Sequence, residues 1–256
     1  MAVLLNNNFN GGPDSTTLTT GNTGQYLDNA FNSVDSSGTG TVCQFASAAA
    51  NNLNRPTAEF VLSMSTGSTA TSPGVTWSSF GSLAQIYTRF YVYFTSVVSN
   101  TTDQCLLDIT STGSACCSLW LRVSTTPFCF EIQNATGSKK SDMSSQAVQV
   151  GAWTRVEFFA DMFNGTSTIN YYADPNTDTT TITHTLIQTA TSYGASGTCD
   201  AVTLGQGAHS QANTPTTYFS NWQLNDSVYP GPAPFRPGAG CPGILPNPSA
   251  IHTDIM

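Results

Sequence analysis

Charged residues are scarce in this chain, since only 9% of its 256 residues are Asp, Glu, Lys or Arg. The few charges are mostly acidic, which gives a formal net charge of −8. A protein that binds phosphate backbones needs a basic surface, so we expect no nucleic-acid partner. The low charge does not predict disorder, because 39% of the residues are hydrophobic and 11% are aromatic, enough to build the core of one domain.

Long apolar runs are also missing. No segment has the length of uninterrupted apolar sequence that crosses a bilayer, so we predict no association with a membrane. The segment Met1 to Asn8 lacks the basic start and the apolar centre of a secretory signal. We therefore expect the chain not to be exported through a signal peptide.

Metal-ligand spacing is absent among the cysteines and histidines. Cys116 and Cys117 are adjacent, no C-x-x-C pair exists, and His184, His209 and His252 are far apart in sequence, so we predict no zinc cluster. An odd number of cysteines leaves at least one unpaired, and the sequence leaves open whether the others are free thiols or form disulfides. The seven cysteines are Cys43, Cys105, Cys116, Cys117, Cys129, Cys199 and Cys241.

Catalytic motifs are missing too. A glycosidase needs two carboxylates placed together on one strand face, but the chain has only Glu59, Glu131 and Glu157, on separate segments. Asp161 lies four residues after Glu157, which does not give that arrangement. No G-x-S-x-G, H-E-x-x-H or phosphate-loop motif occurs. We predict no catalytic residues and no enzymatic activity, with Glu157 acting as an ordinary strand residue.

What the sequence does contain is apolar residues at every second position, the pattern of half-buried strands. The run from Arg89 to Thr95 is aromatic at most positions, which predicts a central strand covered on both faces. We predict an all-β protein built as a two-sheet antiparallel sandwich. The predicted strands are 41–45, 59–64, 86–95, 105–110, 118–124, 128–133, 154–160, 168–173, 185–191, 201–204 and 218–224.

The strands from Gly151 to Ser227 carry a family resemblance. A "W-x-R-hydrophobic-E" strand at 153–157, a small-residue hairpin at 164–166, and a last strand with Tyr218 and Phe219 resemble the core of concanavalin A-like and laminin-G-like jelly rolls. The version with a Pro-rich tail after the last strand is similar to jelly rolls of actinobacteriophage tail and capsid-decoration proteins. The resemblance covers most of residues 9–232. It implies a jelly-roll domain at 1–229 and an extended arm at 230–256.

The resemblance also raises the question of calcium. Many laminin-G-like domains hold it near the first strand and at the "F-D-D" of the last, and the matching positions here are Asn10, Ser220 and Asn221. Amide and hydroxyl oxygens lack the charge that drives affinity for a hard cation. We predict that these residues form a structural polar link between the two strands, with no cofactor, although calcium stays open.

The arm at 230–256 is rich in proline, which removes hydrogen-bond donors and prevents sheet pairing. We predict that it docks against its own domain or against a neighbouring subunit. The expected anchors are Pro234, Phe235, Ile244, Leu245 and Ile255. The expected partners are other virion proteins, either capsid or tail proteins, and further copies of this chain.

Two functional hypotheses follow. The resemblance implies a non-enzymatic virion structural protein, a capsid decoration or minor tail protein, assembled in the host cytoplasm and placed on the virion surface, where it contacts host glycans. The alternative is a carbohydrate-binding or adhesion module of an extracellular bacterial protein. The sequence does not identify which residues would bind the sugar.

Overall fold

A computed structural model of the protein gives the fold. It describes residues 3–9, 12–24, 28–47, 60–78, 80–95, 102–124, 128–134, 139–143, 146–173, 182, 184–189, 197–207 and 209–233. The predicted arm anchors and Asn10 lie outside these residues, as does Glu59. Within the described ranges the secondary structure is strand and turn, without a helix.

The described chain forms fifteen strands. All eleven predicted strands are present, together with four that the sequence pattern did not predict, β1, β2, β5 and β10. The strands are β1 (Val3–Asn7), β2 (Ser33–Asp35), β3 (Val42–Ser47), β4 (Phe60–Ser65), β5 (Gly74–Trp77), β6 (Gln85–Phe94), β7 (Gln104–Ser111), β8 (Ser114–Arg122), β9 (Cys129–Asn134), β10 (Lys139–Asp142), β11 (Trp153–Asp161), β12 (Thr166–Ala173), β13 (His184–Thr189), β14 (Ala201–Gly205) and β15 (Thr217–Asn225).

The strands form two antiparallel sheets, which confirms the predicted jelly-roll sandwich. Sheet A has the order β13-β12-β11-β6-β15-β4-β3, and β1 also pairs with β15. Sheet B has the order β10-β9-β8-β7-β14-β5-β2. The chain therefore crosses repeatedly between the sheets, and its first and last strands are neighbours. At one edge the sheets meet, where the Ser141 hydroxyl donates to the carbonyl oxygen of Ile187 at 3.2 Å.

Alternation along the strands places one face of each sheet in a shared core. Its centre includes an aromatic stack, with the rings of Trp77 and Trp222 4.0 Å apart and Phe31 next to both. Trp77 comes from sheet B and Trp222 from sheet A, so this contact ties the layers together. The tight turn between β7 and β8 has positive φ at both Thr112 and Gly113. That geometry matches the right-handed twist of a hairpin.

The outer face of sheet A is also covered, as the sequence predicted for β6. Residues 229–233 cross this face, which carries the rings of Tyr87, Tyr91 and Trp153. The Ala233 amide donates to the Tyr91 hydroxyl at 2.9 Å, and the Tyr229 ring meets the Tyr87 ring edge-on at 5.3 Å. We call residues 229–233 the strap.

Candidate functional site

The outer face of sheet B is polar, and we call it the polar face. In β8, Leu119 and Leu121 point into the core, so Ser118, Trp120 and Arg122 face outward. The adjacent strands add acids and an amide at matching positions, because Trp120 pairs with Glu131 and Ser118 pairs with Gln133. The polar face consists of Asp103, Asp108, Ser118, Trp120, Arg122, Glu131, Gln133, Asp142 and His209.

Arg122 organises the acidic part of this face. Its Nη1 lies 3.1 Å from Oε2 of Glu131 and 3.3 Å from Oδ2 of Asp142, and its Nε lies 3.8 Å from Asp103. Gln133 donates through Nε2 to Oε1 of Glu131 at 2.6 Å. Glu131 is fully buried. Its carboxylate is held in place by the Arg122 guanidinium at Oε2 and by the Gln133 amide at Oε1.

An aromatic pair lies beside the acids. The rings of Trp120 and His209 meet edge-on with centroids 4.8 Å apart, and the Trp120 indole donates to the Ser118 hydroxyl at 2.8 Å. His209 Nε2 lies 3.6 Å from Oδ1 of the buried Asp108. Gly207 brings this segment close to the sheet, since a Cβ at Gly207 would lie 2.5 Å from Oδ2 of Asp108. A larger residue at 207 would push His209 away.

Exposure separates the groups that a ligand can reach from those that support them. The side chains of Asp142, Asp103 and His209 are 31%, 26% and 22% exposed, and that of Arg122 is 12% exposed. Trp120 and Glu131 lie beneath them. A ligand on this face would therefore contact carboxylate oxygens, an imidazole and a guanidinium, with Trp120 holding the imidazole in position.

Two of the three positions predicted to resemble a calcium site, Ser220 and Asn221, belong to a hydrogen-bonded chain that continues through Asn8 and Asp28. The Ser220 hydroxyl donates to Oδ1 of Asn221, and Asn221 Nδ2 donates to Oδ1 of Asn8, both at 2.7 Å. Asn8 Nδ2 then donates to Oδ1 of Asp28 at 2.9 Å. The link joins the last strand to the segment after β1. Asn221 has a φ of 49° and lies where the pairing of β15 with β6 shifts its register, between Ser220 and Gln223. This local change in the backbone directs the Asn221 side chain toward Asn8.

Amide nitrogens occupy the places where a cation would require oxygen ligands. Within the described ranges no group of three or more His, Cys, Asp or Glu side chains has the arrangement of a metal site. Asp28 supplies the one carboxylate in this link. The donor set suits a structural link better than a hard cation.

The remaining carboxylate predicted from sequence, Glu157, lies on the opposite sheet from the polar face. It accepts a hydrogen bond from the Tyr172 hydroxyl at 2.9 Å, and its Oε1 lies 3.5 Å from Nε of Arg155. Asp161 caps the turn after β11 by accepting from the Asn164 amide at 2.8 Å. Glu157 and Glu131 therefore lie on the outer faces of different sheets and cannot act on one bond.

The six cysteines in the described ranges are buried thiols. Burial raises the pKa of Cys43 and Cys199 to about 12 and that of Cys116 to about 11, with further contributions from nearby acids such as Asp35 and Asp108. These thiols stay protonated at neutral pH and behave as small apolar core residues.

Sequence reasoning missed the polar face. The predicted strand 118–124 contained Trp120 and Arg122, and its alternation S-x-W-x-R would have placed both on one face. His209 had no local signal, because its segment reaches Trp120 only through the pairing of β14 with β7.

Comparison with known proteins supports the fold. No protein-family model matches this chain, and no curated protein sequence matches it. The structure of "Cellulose induced protein, Cip1" is similar with a TM-score of 0.55 and 10% identity, covering 89% of this chain and 100% of that protein. A Bauhinia forficata lectin in complex with GalNAc is similar with a TM-score of 0.46 and 10% identity, covering 75% of this chain and 95% of the lectin.

A sialidase structure is similar over 65% of this chain, with 12% identity and a TM-score of 0.46. The match spans only 15% of the sialidase. At these identities the likeness shows the fold alone, a two-sheet antiparallel jelly-roll sandwich. A membrane-spanning helix is likewise not found in the described part of the chain.

Proposed function

We propose that this protein is a non-enzymatic glycan-binding domain whose binding surface is the polar face of sheet B. The observation that carries the proposal is the placement of His209 on Trp120 beside Asp142, Asp103 and Arg122. Sugars present hydroxyl groups and flat C–H faces. Sites that bind small polar ligands combine ring surfaces with a few fixed donors and acceptors, and this face has both.

The environment of Glu131 supports a binding role. Glu131 is buried and held by Arg122 and Gln133, which suits a residue that fixes the position of Arg122 rather than a group that exchanges protons with substrate. We expect no release of reducing ends when the protein is incubated with glycans. Turnover by wild type that is lost in Glu131→Gln would overturn the non-enzymatic part of the proposal.

The binding site is tested on a glycan array with variants of the face. His209→Ala should remove binding while leaving the melting temperature close to that of wild type, because His209 is partly exposed and outside the strands. Trp120→Phe should weaken binding by loosening His209. Trp153→Phe is the matched control, since Trp153 is an equally buried tryptophan on the outer face of sheet A. If both Phe variants bind alike, or His209→Ala binds normally, the site lies elsewhere.

We further propose that the domain acts on the surface of a virion, as a capsid decoration or minor tail protein. This part rests on the sequence resemblance to actinobacteriophage jelly rolls and on the Pro-rich arm. The alternative, a carbohydrate-binding module of an extracellular bacterial protein, uses the same face without assembly. Labelling the source particles with an antibody against this chain distinguishes them: labelled virions support the first, and label found only on bacterial surfaces supports the second.

A further inference from the structure

The turn between β11 and β12 carries an Asn-Gly pair, Asn164-Gly165. Asn164 is exposed, and the turn is closed by the pairing of Asp161 with Thr166. Gly165 has a φ of 64°, a conformation that glycine adopts without strain. Because Gly165 has no Cβ, its backbone nitrogen is sterically open to the side chain of the residue before it. Asparagine is a labile residue, so this turn has the sequence and the exposure that deamidation requires.

Deamidation at this pair needs only water as a co-reactant. The Gly165 nitrogen loses its proton and attacks Cγ of Asn164, which forms an N–Cγ bond. The Cγ–Nδ2 bond then breaks, and Nδ2 leaves as ammonia after taking up the proton. Water opens the resulting five-membered imide at either carbonyl and leaves aspartate or isoaspartate at position 164. The net change replaces one amide by one carboxylate, with no oxidation or reduction.

The Asp161 carboxylate holds the reacting amide in place. Its Oδ2 accepts from Nδ2 of Asn164 at 2.9 Å, and its Oδ1 accepts from the backbone nitrogen of the same residue at 2.8 Å. Gln85, at the start of β6, donates to the same Oδ2 at 2.7 Å. Burial alone would raise the pKa of Asp161, but the hydrogen bonds from Asn164 and Gln85 outweigh it and hold the pKa below its usual value. The carboxylate is therefore ionised at neutral and mildly alkaline pH, where deamidation proceeds.

We propose that Asn164 is a deamidation site that Asp161 keeps unreactive in the folded protein. Ring closure has to turn the Asn164 side chain onto the Gly165 nitrogen, which breaks a charge-assisted hydrogen bond. The negative charge of Asp161 also opposes the loss of the proton from that nitrogen. A hydrogen bond to a charged group is worth a factor of roughly ten or more in an equilibrium. We therefore expect Asn164 to deamidate at least roughly tenfold more slowly in the folded protein than in the unfolded chain.

The test compares the folded full-length protein with the same chain unfolded in guanidinium chloride, both at pH 8 and at one temperature. Peptide mass spectrometry follows the mass gain at Asn164 and detects isoaspartate there. We expect rapid conversion in the unfolded chain and slow conversion in the folded protein. Equal rates in the two states, or no conversion of Asn164 in the unfolded chain, would overturn the proposal. Glycan binding plays no part in this measurement, because the turn belongs to sheet A and the polar face to sheet B.

Two variants separate Asp161 from a general loosening of the hairpin. Asp161→Ser removes the carboxylate and keeps an oxygen for the Asn164 backbone nitrogen, so the folded variant should deamidate at close to the rate of the unfolded chain. Gln85→Met is the matched control, since it removes the other hydrogen bond to Oδ2 of Asp161 and should stay as slow as wild type. Slow conversion in Asp161→Ser, or equal acceleration in both variants, would overturn the role of Asp161. Asp161→Asn, which is closer in shape, replaces Asp161→Ser if that variant does not fold.

Deamidation should also weaken the turn, because its product places a second carboxylate beside Asp161. Asn164→Asp reproduces this product, and Asn164→Ala removes the side-chain hydrogen bond without adding a charge. We expect Asn164→Asp to melt at a lower temperature than Asn164→Ala at pH 8, and the two to converge at high salt because exposed charges are screened. Equal melting temperatures at low salt would show that the new charge does not act on Asp161 and would overturn this consequence.

Discussion

Arg89, in the middle of β6, donates through Nη1 to the carbonyl oxygen of Gly231 at 2.9 Å. The same guanidinium donates to the carbonyl oxygen of Asn221 and to Oε1 of Gln223. Arg89 is almost fully buried, so these acceptors replace its water. The start of the Pro-rich arm is thus fixed to sheet A through a buried cation.

Because of this contact, the stability of a C-terminally truncated chain should depend on whether the truncation keeps residues 229–233. A chain ending at Ala233 keeps the acceptor for Arg89 and the amide that binds Tyr91, so its melting temperature should match that of the full chain. A chain ending at Val228 loses both and uncovers the rings beneath the strap. Loss of a hydrogen bond to a charged group costs about 1.5–3 kcal/mol, which corresponds to a drop of about 3–12 °C in a domain of this size.

Thermal unfolding of the two truncated proteins measures the difference. Equal melting temperatures would show that the strap adds nothing to the sandwich. The shorter deletion also tests the assembly role of residues 234–256: we expect a folded protein that no longer enters the particle. Normal incorporation would place the docking contacts in the sandwich itself.

The sequence predicts the strands of this fold well because their alternation is strong, as between Arg155 and Phe158 in β11. It does not predict β2 or β10. Such short edge strands have too few residues for a periodic pattern, and they form because longer strands beside them offer unpaired backbone groups. The contact between the strap and sheet A could not be predicted either, because nothing in the composition of residues 229–233 shows that they lie over Arg89 and Tyr91.

The candidate site was predicted less well, for a related reason. A polar link between the first and last strands was predicted through Asn10, which lies outside the described residues, whereas the link that the structure shows runs from Asn221 to Asn8. The polar face depends on contacts between β8, β9 and the segment after β14. Those contacts arise from sheet order, which residue spacing alone does not reveal.

Calcium removal should have little effect. The Ser220–Asn221–Asn8 link is satisfied by its own hydrogen bonds, so no binding energy of a cation contributes to stability there. We expect less than about 1 °C of change in melting temperature on adding a chelator at millimolar concentration. A drop of many degrees that calcium restores would identify a cation site and contradict this expectation.

The buried thiols should be unreactive and should make the protein sensitive to alkali. Cys43, Cys116 and Cys199 keep their protons in the folded state to higher pH than in the unfolded chain, because burial raises their pKa values to about 12, 11 and 12. Unfolding therefore releases protons above about pH 9, and the stability from these thiols, complete below that pH, is lost as the pH rises toward 12.

Two measurements check this. At pH 8 a thiol reagent should leave the six described cysteines of the reduced native protein unmodified, and should modify them after denaturation. Urea midpoints should fall between pH 9 and 11. Rapid modification of several thiols in the native protein, or a midpoint constant over that range, would show that these residues are accessible.

The last prediction concerns the buried pair formed by Arg155 and Glu157 on sheet A. The guanidinium of Arg155 stacks on the Tyr172 ring at 3.7 Å, and Glu157 accepts from the hydroxyl of the same tyrosine. Glu157→Gln leaves the charge of Arg155 buried without its counter-ion. Removing one member of a buried pair costs about 3–5 kcal/mol, whereas replacing both members is often nearly neutral.

We therefore expect Glu157→Gln to unfold at clearly lower urea concentration, and Arg155→Met combined with Glu157→Gln to recover much of the loss. The double-mutant cycle isolates the pair from the general effect of each substitution. Glycan binding should be unchanged in both variants at a temperature where they are folded, because the pair lies on the sheet opposite the polar face. If Glu157→Gln has wild-type stability, the ion pair contributes nothing; if it abolishes glycan binding while folded, the binding surface belongs on sheet A, where the rings of Tyr87, Tyr91 and Trp153 would be the residues to test next.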